Sequence, residues 1–294
     1  MGHTLERLAE DLRKMGIGEG DALMVHSSLK SIGWVEGGAD AVIDAILSVI
    51  GEEGVLFVPT LTATIHPPGD EPMHKYAWDP KETPSRVGKI TDTLWRRPNA
   101  CRSDHPTHSV AAIGKDAAEL VKGHGEGAST FDKRGPYGSY VKLGATILFI
   151  GTGMGPNTTL HVSEDWAELP YMMNDVKARV KTADGEKPVV CTMFPGGPRS
   201  FYTGDANSPP VQLFYRLGLV REAKLGDATV QLIGAQDVIN TMLKTYYGGD
   251  PAFLLPPAER DEFSRKGRED CERELPRIRK TIEQLAADGW CRLD

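Results

Sequence analysis

Asp21-Ala22-Leu23-Met24-Val25-His26 is an apolar run set between an aspartate and a histidine, and its reading decides the fold. It has the length and composition of a buried strand. Ala39, Val42, Ile43, Ile46, Leu47 and Ile50 then recur with a period of 3.6 residues, which predicts a helix over 39–50. Gly51 ends it, and Val55 to Pro59 is a second short strand. A strand–helix–strand unit implies parallel strands and a layered core. The expected fold is α/β: a layered α/β/α-type core with a mixed, largely parallel sheet, inserted loops and a charged C-terminal helical segment.

Working outward, Leu5, Leu8 and Leu12 predict a helix over 4–15. Residues 62–86 read as a long loop. A helix over 85–96 is expected to be capped by Ser85. Ser109 to Ile113 reads as a strand, and Ala117 to Lys122 and Ser139 to Leu143 as short helices. Ala145 to Ile150 is another buried strand. Residues 176–182 and 187–193 pair around an Asp184-Gly185 turn. Val211 to Leu217 is a helix, Leu225 to Leu232 a strand and Ala235 to Tyr246 a helix. Beyond Pro256 the chain is rich in charge. Leu275, Ile278, Ile282 and Leu285 keep helical spacing there, so a helix or helix pair packs on the body. No linker divides the chain, and 1–294 is expected to be a single domain with 255–294 as a helical extension.

Composition narrows the function. With 40% hydrophobic residues in 294, a sizeable core is available. No run is long and apolar enough for a membrane span, and Met1 to Lys14 lacks the apolar core of a signal peptide. Four scattered cysteines give neither a disulfide framework nor a zinc ribbon, which suits a cytoplasmic protein. A net charge of −7 argues against a general nucleic-acid binder.

The chemistry centres on Asn157-Thr158-Thr159-Leu160-His161-Val162-Ser163-Glu164, which follows the strand ending at Ile150 and the turn Gly151-Thr152-Gly153-Met154-Gly155. On a helix beginning near Asn157 or Thr158, His161 and Glu164 share a face. Histidine is the usual base near neutral pH, and a carboxylate beside it fixes its tautomer. Glu164 either orients His161 or meets a cationic substrate directly. His26 is a second histidine at a strand end. Gly33 to Ala39 places small residues at a helix start, which suits a phosphate or is an ordinary glycine turn. It is neither a dinucleotide fingerprint nor a Walker loop. His105 and His108 lack a nearby third ligand, so no metal is expected.

Met24-Val25-His26-Ser27-Ser28-Leu29, Val35-Glu36-Gly37-Gly38, Thr83-Pro84-Ser85, Arg102-Ser103-Asp104-His105-Pro106-Thr107-His108-Ser109-Val110-Ala111-Ala112 and Asn157 to Glu164 occur in that order. Together they resemble the aminoglycoside 3-N-acetyltransferase family, over roughly residues 5–245. The resemblance implies acetyl-CoA as co-substrate. His26, Ser27, Ser28, Leu29 and Lys30 would follow its pantetheine arm, and Val35 and Gly37 its phosphates. Arg102, Ser103, His105, His108 and Ser109 would complete that wall. It further implies direct transfer to the 3-amino group of 2-deoxystreptamine antibiotics, with catalytic residues His161, Glu164 and His26. A polycationic acceptor calls for carboxylates, and the candidates are Asp70, Asp79, Glu164, Asp165, Glu168 and Asp205. Trp78, Trp166 and Tyr171 are either sugar platforms or core residues.

Two other readings stand beside this one. A same-fold acyltransferase could act on another amine, or the chain could be a non-catalytic nucleotide or polyamine binder. No nucleic-acid or membrane partner is expected, and the chain is expected to be a monomer or a homodimer.

Overall fold

The computed structural model describes residues 2–62, 77–193, 208–249 and 262–294. The first unit follows the sequence pattern: β1 (Ala22–Ser27), a short α2 (Leu29–Ile32), α3 (Gly38–Ile50) and β2 (Val55–Pro59), preceded by α1 (Leu5–Lys14). Thr4 caps α1, its hydroxyl accepting the Arg7 N–H. Next come β3 (Ala77–Trp78), α4 (Lys89–Leu94), β4 (Cys101–Arg102), β5 (Val110–Gly114), α5 (Ala117–Leu120), α6 (Pro136–Lys142), β6 (Thr146–Ile150) and α7 (Thr159–Trp166). The chain continues through β7 (Met173–Thr182), β8 (Gly185–Met193), α8 (Pro209–Arg216), β9 (Arg221–Leu225), β10 (Ala228–Gly234), α9 (Ala235–Gly248) and α10 (Glu262–Ala287).

Seven strands form the main sheet in the order β4-β5-β2-β1-β6-β10-β9. Alternation along the central strands divides two cores. Met24, Phe57, Ile147 and Phe149 face one side, against α6, α7, α9 and α10. Leu23, Val25, Leu56, Leu148 and Ile150 face the other, against α1, α3 and α4. Both faces are covered, which is why these strands read as unbroken apolar runs. A three-stranded sheet, β3-β7-β8, stands apart with its own small cluster of Trp78, Val180 and Val189.

The layered α/β/α architecture and mixed sheet agree with the sequence reading, but the parallel share is smaller. Within the main sheet only β1–β2 and β1–β6 are parallel, and β5, β4, β10 and β9 add antiparallel flanks. The reason is visible at Gly226-Asp227. Leu225 to Leu232 is not one strand but part of a tight hairpin between β9 and β10, with Gly226 at φ 55°. Hairpin neighbours are antiparallel by construction. Ser85 does not cap α4; Gly88 stands at that position, and the Ser85 hydroxyl pairs with Thr91 at 2.9 Å. α6 begins three residues early, at Pro136, where a missing N–H costs nothing. The β7–β8 loop is Ala183-Asp184, one residue earlier than expected. The C-terminal segment is one helix with Pro276 inside it, and Ile278, Ile282 and Leu285 join the core shared with α7 and α9.

β1, β2 and β6 run parallel and end together at Ser27, Pro59 and Ile150. Ligands in open α/β sheets sit in the crevice beyond such carboxyl ends. Gly151 makes the turn out of β6 at φ 65°, and a Cβ there would lie 2.2 Å from Ser31 Cβ.

Candidate active site

A cleft of about 230 Å³ opens at these strand ends, lined by His26, Ser27, Pro59, Leu61, Val87, His108, Thr152, Gly155, Pro156, Asn157, Thr158 and His161. The strand β1 supplies His26 and Ser27, and the turn before β5 supplies His108. The glycine turn after β6 leads into α7, which carries His161 into the cleft.

His161 Nδ1–H donates to Glu164 Oε2 at 2.7 Å, one helical turn on. The carboxylate is 1% exposed and the imidazole 24% exposed. The other carboxylate oxygen, Oε1, accepts the Tyr171 hydroxyl at 2.8 Å. Phe131 stacks on the His161 ring at 6.2 Å and meets His108 edge-on at 5.4 Å. The Trp166 indole N–H fixes Phe131 by donating to its carbonyl at 2.8 Å. A histidine held this way at Nδ1 presents Nε2 as the site for taking up a proton.

The other histidines differ in character. Burial pushes His26 down to about 4, and its ring stacks on Phe149 at 5.1 Å. Burial, then the neighbouring His161 and His124, push His108 to about 3. Such rings stay neutral and are weak bases at neutral pH. His26 therefore suits a wall or hydrogen-bonding role better than proton abstraction. His105 and His124 are stacked at 4.4 Å outside the cleft lining, both with pKa values lowered by burial. His105 Nδ1 accepts from the His108 N–H, and its Nε2 meets the Val190 carbonyl at 3.2 Å. Among the described residues no group of His, Cys, Asp and Glu is arranged to hold a metal ion.

Three buried polar atoms on the lining residues have no hydrogen-bond partner among the described residues: His26 Nε2, Ser27 Oγ and Asn157 Nδ2. Asn157 is oriented, because its Oδ1 accepts the Thr159 N–H at 3.2 Å. A buried polar group left unpaired costs about 1–3 kcal/mol. Their concentration here fits a polar ligand that would satisfy them, such as one bearing a carbonyl and amides. The sequence motif contains Asn157, yet nothing in the spacing signals that its amide nitrogen is left unpaired in the cleft lining.

Other expected residues lie elsewhere. Arg102 is sandwiched between Trp78 and Trp95, its Cζ 4.8 and 4.4 Å from their rings. Its N–H groups go to the Thr60 carbonyl and hydroxyl, the Ser109 hydroxyl and the carbonyls of Pro80 and Thr83. The guanidinium is thus held on every side by groups of the fold itself. Ser103 pairs with His124, and Ser109 donates to the Thr60 carbonyl. Ser28 accepts from Ser31 on the shoulder of the cleft, followed by Leu29 and an exposed Lys30. Val35 is buried in the α3 core. Gly37, at φ 83°, borders a separate hollow lined by Glu6, Glu36, Asp40 and Asp44, the wrong charge for a phosphate.

The expected acceptor carboxylates that the structure describes have these surroundings. Glu164 is occupied by His161 and Tyr171. Asp165 accepts the Ser129 hydroxyl at 2.6 Å. Glu168 pairs with Arg277 of α10 at 3.0 Å. Asp79 borders a different hollow with Lys81, Asp104 and Lys181. Asp70 and Asp205 lie outside the described residues, as do most of the loops around 62–76 and 194–207. Among the described residues lining the cleft there is no carboxylate. Trp78, Trp166 and Tyr171 are buried, so they are core residues rather than sugar platforms.

The layered α/β fold places a histidine–carboxylate pair beside a cleft at parallel strand ends, which marks a candidate enzyme site. A family model described as aminoglycoside 3-N-acetyltransferase matches residues 24–246. The aminoglycoside N(3)-acetyltransferase III of Acinetobacter baumannii is 31% identical over 286 residues, covering 87% of this chain and 96% of that one. Among solved structures, the aminoglycoside acetyltransferase AAC(3)-Xa superposes with a TM-score of 0.71 at 28% identity, over 82% of this chain and 91% of its own. A mutant of AAC(3)-IVa in complex with a gentamicin gives 0.72 at 25% identity, over 92% and 98%. The chain belongs to the aminoglycoside 3-N-acetyltransferase family and is an enzyme of that class.

Proposed function

We propose that this enzyme moves the acetyl group of acetyl-CoA to the 3-amino group of a 2-deoxystreptamine antibiotic, by direct transfer with His161 as general base. One observation carries the reading: the His161–Glu164 bond of 2.7 Å, with the imidazole at the cleft and the carboxylate buried behind it. An ammonium group has no lone pair, so the acceptor amine must lose a proton before or during attack on the thioester carbonyl. His161 Nε2 takes that proton, and Glu164 stabilises the imidazolium. As the carbon–nitrogen bond forms, the carbon–sulfur bond breaks; the nitrogen gives up its remaining surplus proton to the departing thiolate, and His161 releases its own to solvent.

The wall of His26, Ser27 and Asn157 supplies hydrogen bonds to the acyl donor. Direct transfer is favoured because no cysteine is among the described residues lining the cleft. Burial also raises Cys191 to about 11 and Cys271 to about 12, far from reactive thiolates. Gentamicin bound to the similar AAC(3)-IVa supports an aminoglycoside acceptor. The test is thiol release from acetyl-CoA on adding gentamicin, kanamycin or apramycin, with NMR of the product. Acetylation at the 3-amino group supports the reading. A 6′-acetylated or O-acetylated product, or turnover only with an unrelated amine, overturns it.

A further inference from the structure

We infer that Tyr171 is a positioning residue for the His161–Glu164 pair, and that the C-terminal helix α10 holds it in place. The inference rests on the assignment of His161 as base. Glu164 Oε2 takes His161 Nδ1–H at 2.7 Å and Oε1 takes the Tyr171 hydroxyl at 2.8 Å. A buried carboxylate bonded at both oxygens has one orientation, and so does the imidazole attached to it. Tyr171 is not on α7. It lies beyond a turn at Glu168, whose φ of 52° is unusual for a residue with a side chain.

That turn is braced from α10. Arg277 Nη1 meets Glu168 Oε2 at 3.0 Å, and Nη2 donates to the Glu168 carbonyl at 2.7 Å. Gly267 faces the Tyr171 ring, where a Cβ would come to 3.6 Å from Cδ1. Leu169, Tyr246, Cys271, Leu275 and Ile278 enclose a cavity of about 30 Å³ between this segment, α9 and α10. The family match ends at residue 246, before α10 begins. The helix thus contributes to the pair from outside the matched region.

The surrounding groups make a pH profile informative. His26 and His108 face the cleft as neutral rings. Tyr246 of α9 and Cys271 of α10 both feel the Glu164 charge, and burial keeps both protonated. Asp165 on α7 is bonded to Ser129, and Glu168 to Arg277. A change in the pH dependence of kcat on altering Tyr171 or Arg277 therefore reads on the His161–Glu164 pair rather than on these groups.

The experiment compares wild type, Tyr171→Phe and Arg277→Ala as full chains with acetyl-CoA and gentamicin. Tyr171→Phe keeps the ring and removes one donor to a charged acceptor, so kcat falls about tenfold, the scale of such a bond. Both KM values stay within about twofold, because uniform binding is untouched. Without the tyrosine donor, the carboxylate bonds His161 more strongly, and the acid limb of kcat moves to higher pH. Arg277→Ala gives the same shift in smaller measure. Wild-type kcat and pH profile in Tyr171→Phe overturn the inference, as does a loss of thermal stability with no shift of the limb. His161→Ala with near wild-type turnover sinks the base assignment itself, and the two failures are thereby distinguished.

Discussion

His161 and Glu164 face each other across one turn of α7 at 2.7 Å, with the carboxylate inside the protein and the imidazole at the cleft. The arrangement separates two jobs that sequence leaves open for Glu164. A carboxylate 1% exposed and bonded at both oxygens orients a histidine; it has no free edge for an antibiotic ammonium group.

Glu164→Gln should therefore act on kcat rather than on acceptor binding. The amide keeps the shape and removes the charge that stabilises the imidazolium, so kcat should fall about 10²-fold, the scale of impaired acid–base catalysis. The acid limb should move to lower pH, because His161 loses the anion that favours its charged form. Steady-state kinetics with varied gentamicin check this; a large rise in acceptor KM at unchanged kcat would assign Glu164 to substrate.

Arg102→Ala should be a stability variant. The guanidinium fills the space between Trp78 and Trp95 and bonds three backbone carbonyls, which lose that donor together. The expected loss is roughly 2–4 kcal/mol, the range for breaking a partly buried network. Urea unfolding measures it, and the acetyl-CoA KM should stay near wild type. A weakened KM with unchanged stability would return Arg102 to the cofactor wall.

Gly151→Ala should destabilise for two reasons at once. The turn needs φ 65°, and the new Cβ would lie 2.2 Å from Ser31 Cβ, where Ser31 bonds the Gly151 carbonyl. Left-handed strain alone costs on the order of 1 kcal/mol, and the clash adds to it. A thermal melt should show a clear drop, whereas Gly144→Ala has positive φ but no nearby atoms and should cost less. Equal losses at the two sites would show that crowding at Ser31 is relieved without cost.

Stability should fall on mild acidification. His26 and His124 are held at about 4 and His108 at about 3 by burial, below the value near 6.5 of an unfolded chain. Below about pH 6.5 the unfolded chain binds protons that the folded protein refuses, so the folded state loses ground as pH drops. The contribution is complete above about 6.5 and is lost progressively toward 4 and then 3. Urea midpoints measured from pH 7.5 to 4.5 should decline. Replacing His124 by Gln should flatten the decline, and an unchanged slope would show that His124 already protonates in the folded state.

Periodicity makes part of this molecule legible. The 3.6-residue repeat from Ala39 to Ile50 and the apolar runs around Met24 and Phe57 are local consequences of two-sided burial, so the central unit can be read directly. His161 and Glu164 are three apart on one helix, so their meeting is also a local matter. Tyr171 reaches Glu164 only because the chain reverses at Glu168 and α10 packs behind it, and neither event has a signature in spacing. The partners of Arg102 are not legible because a charge in a sequence does not say which way it points. The surroundings of Asp79, Asp165 and Glu168 are hidden for the same reason, each having a partner inside the fold or lying along another hollow. The β9–β10 hairpin is hidden by the apolar alternation continuing across its short Gly226-Asp227 turn.

The central claim is that His161 removes the proton from the acceptor amine, and His161→Ala tests it most directly. Thiol release from acetyl-CoA, followed with saturating gentamicin across pH 5.5 to 9, gives kcat and its acid limb together. The account predicts a fall in kcat of roughly 10²-fold or more, with the limb assigned to His161 abolished and the acetyl-CoA Kd little changed. Near wild-type kcat with the same acid limb in the variant would contradict it.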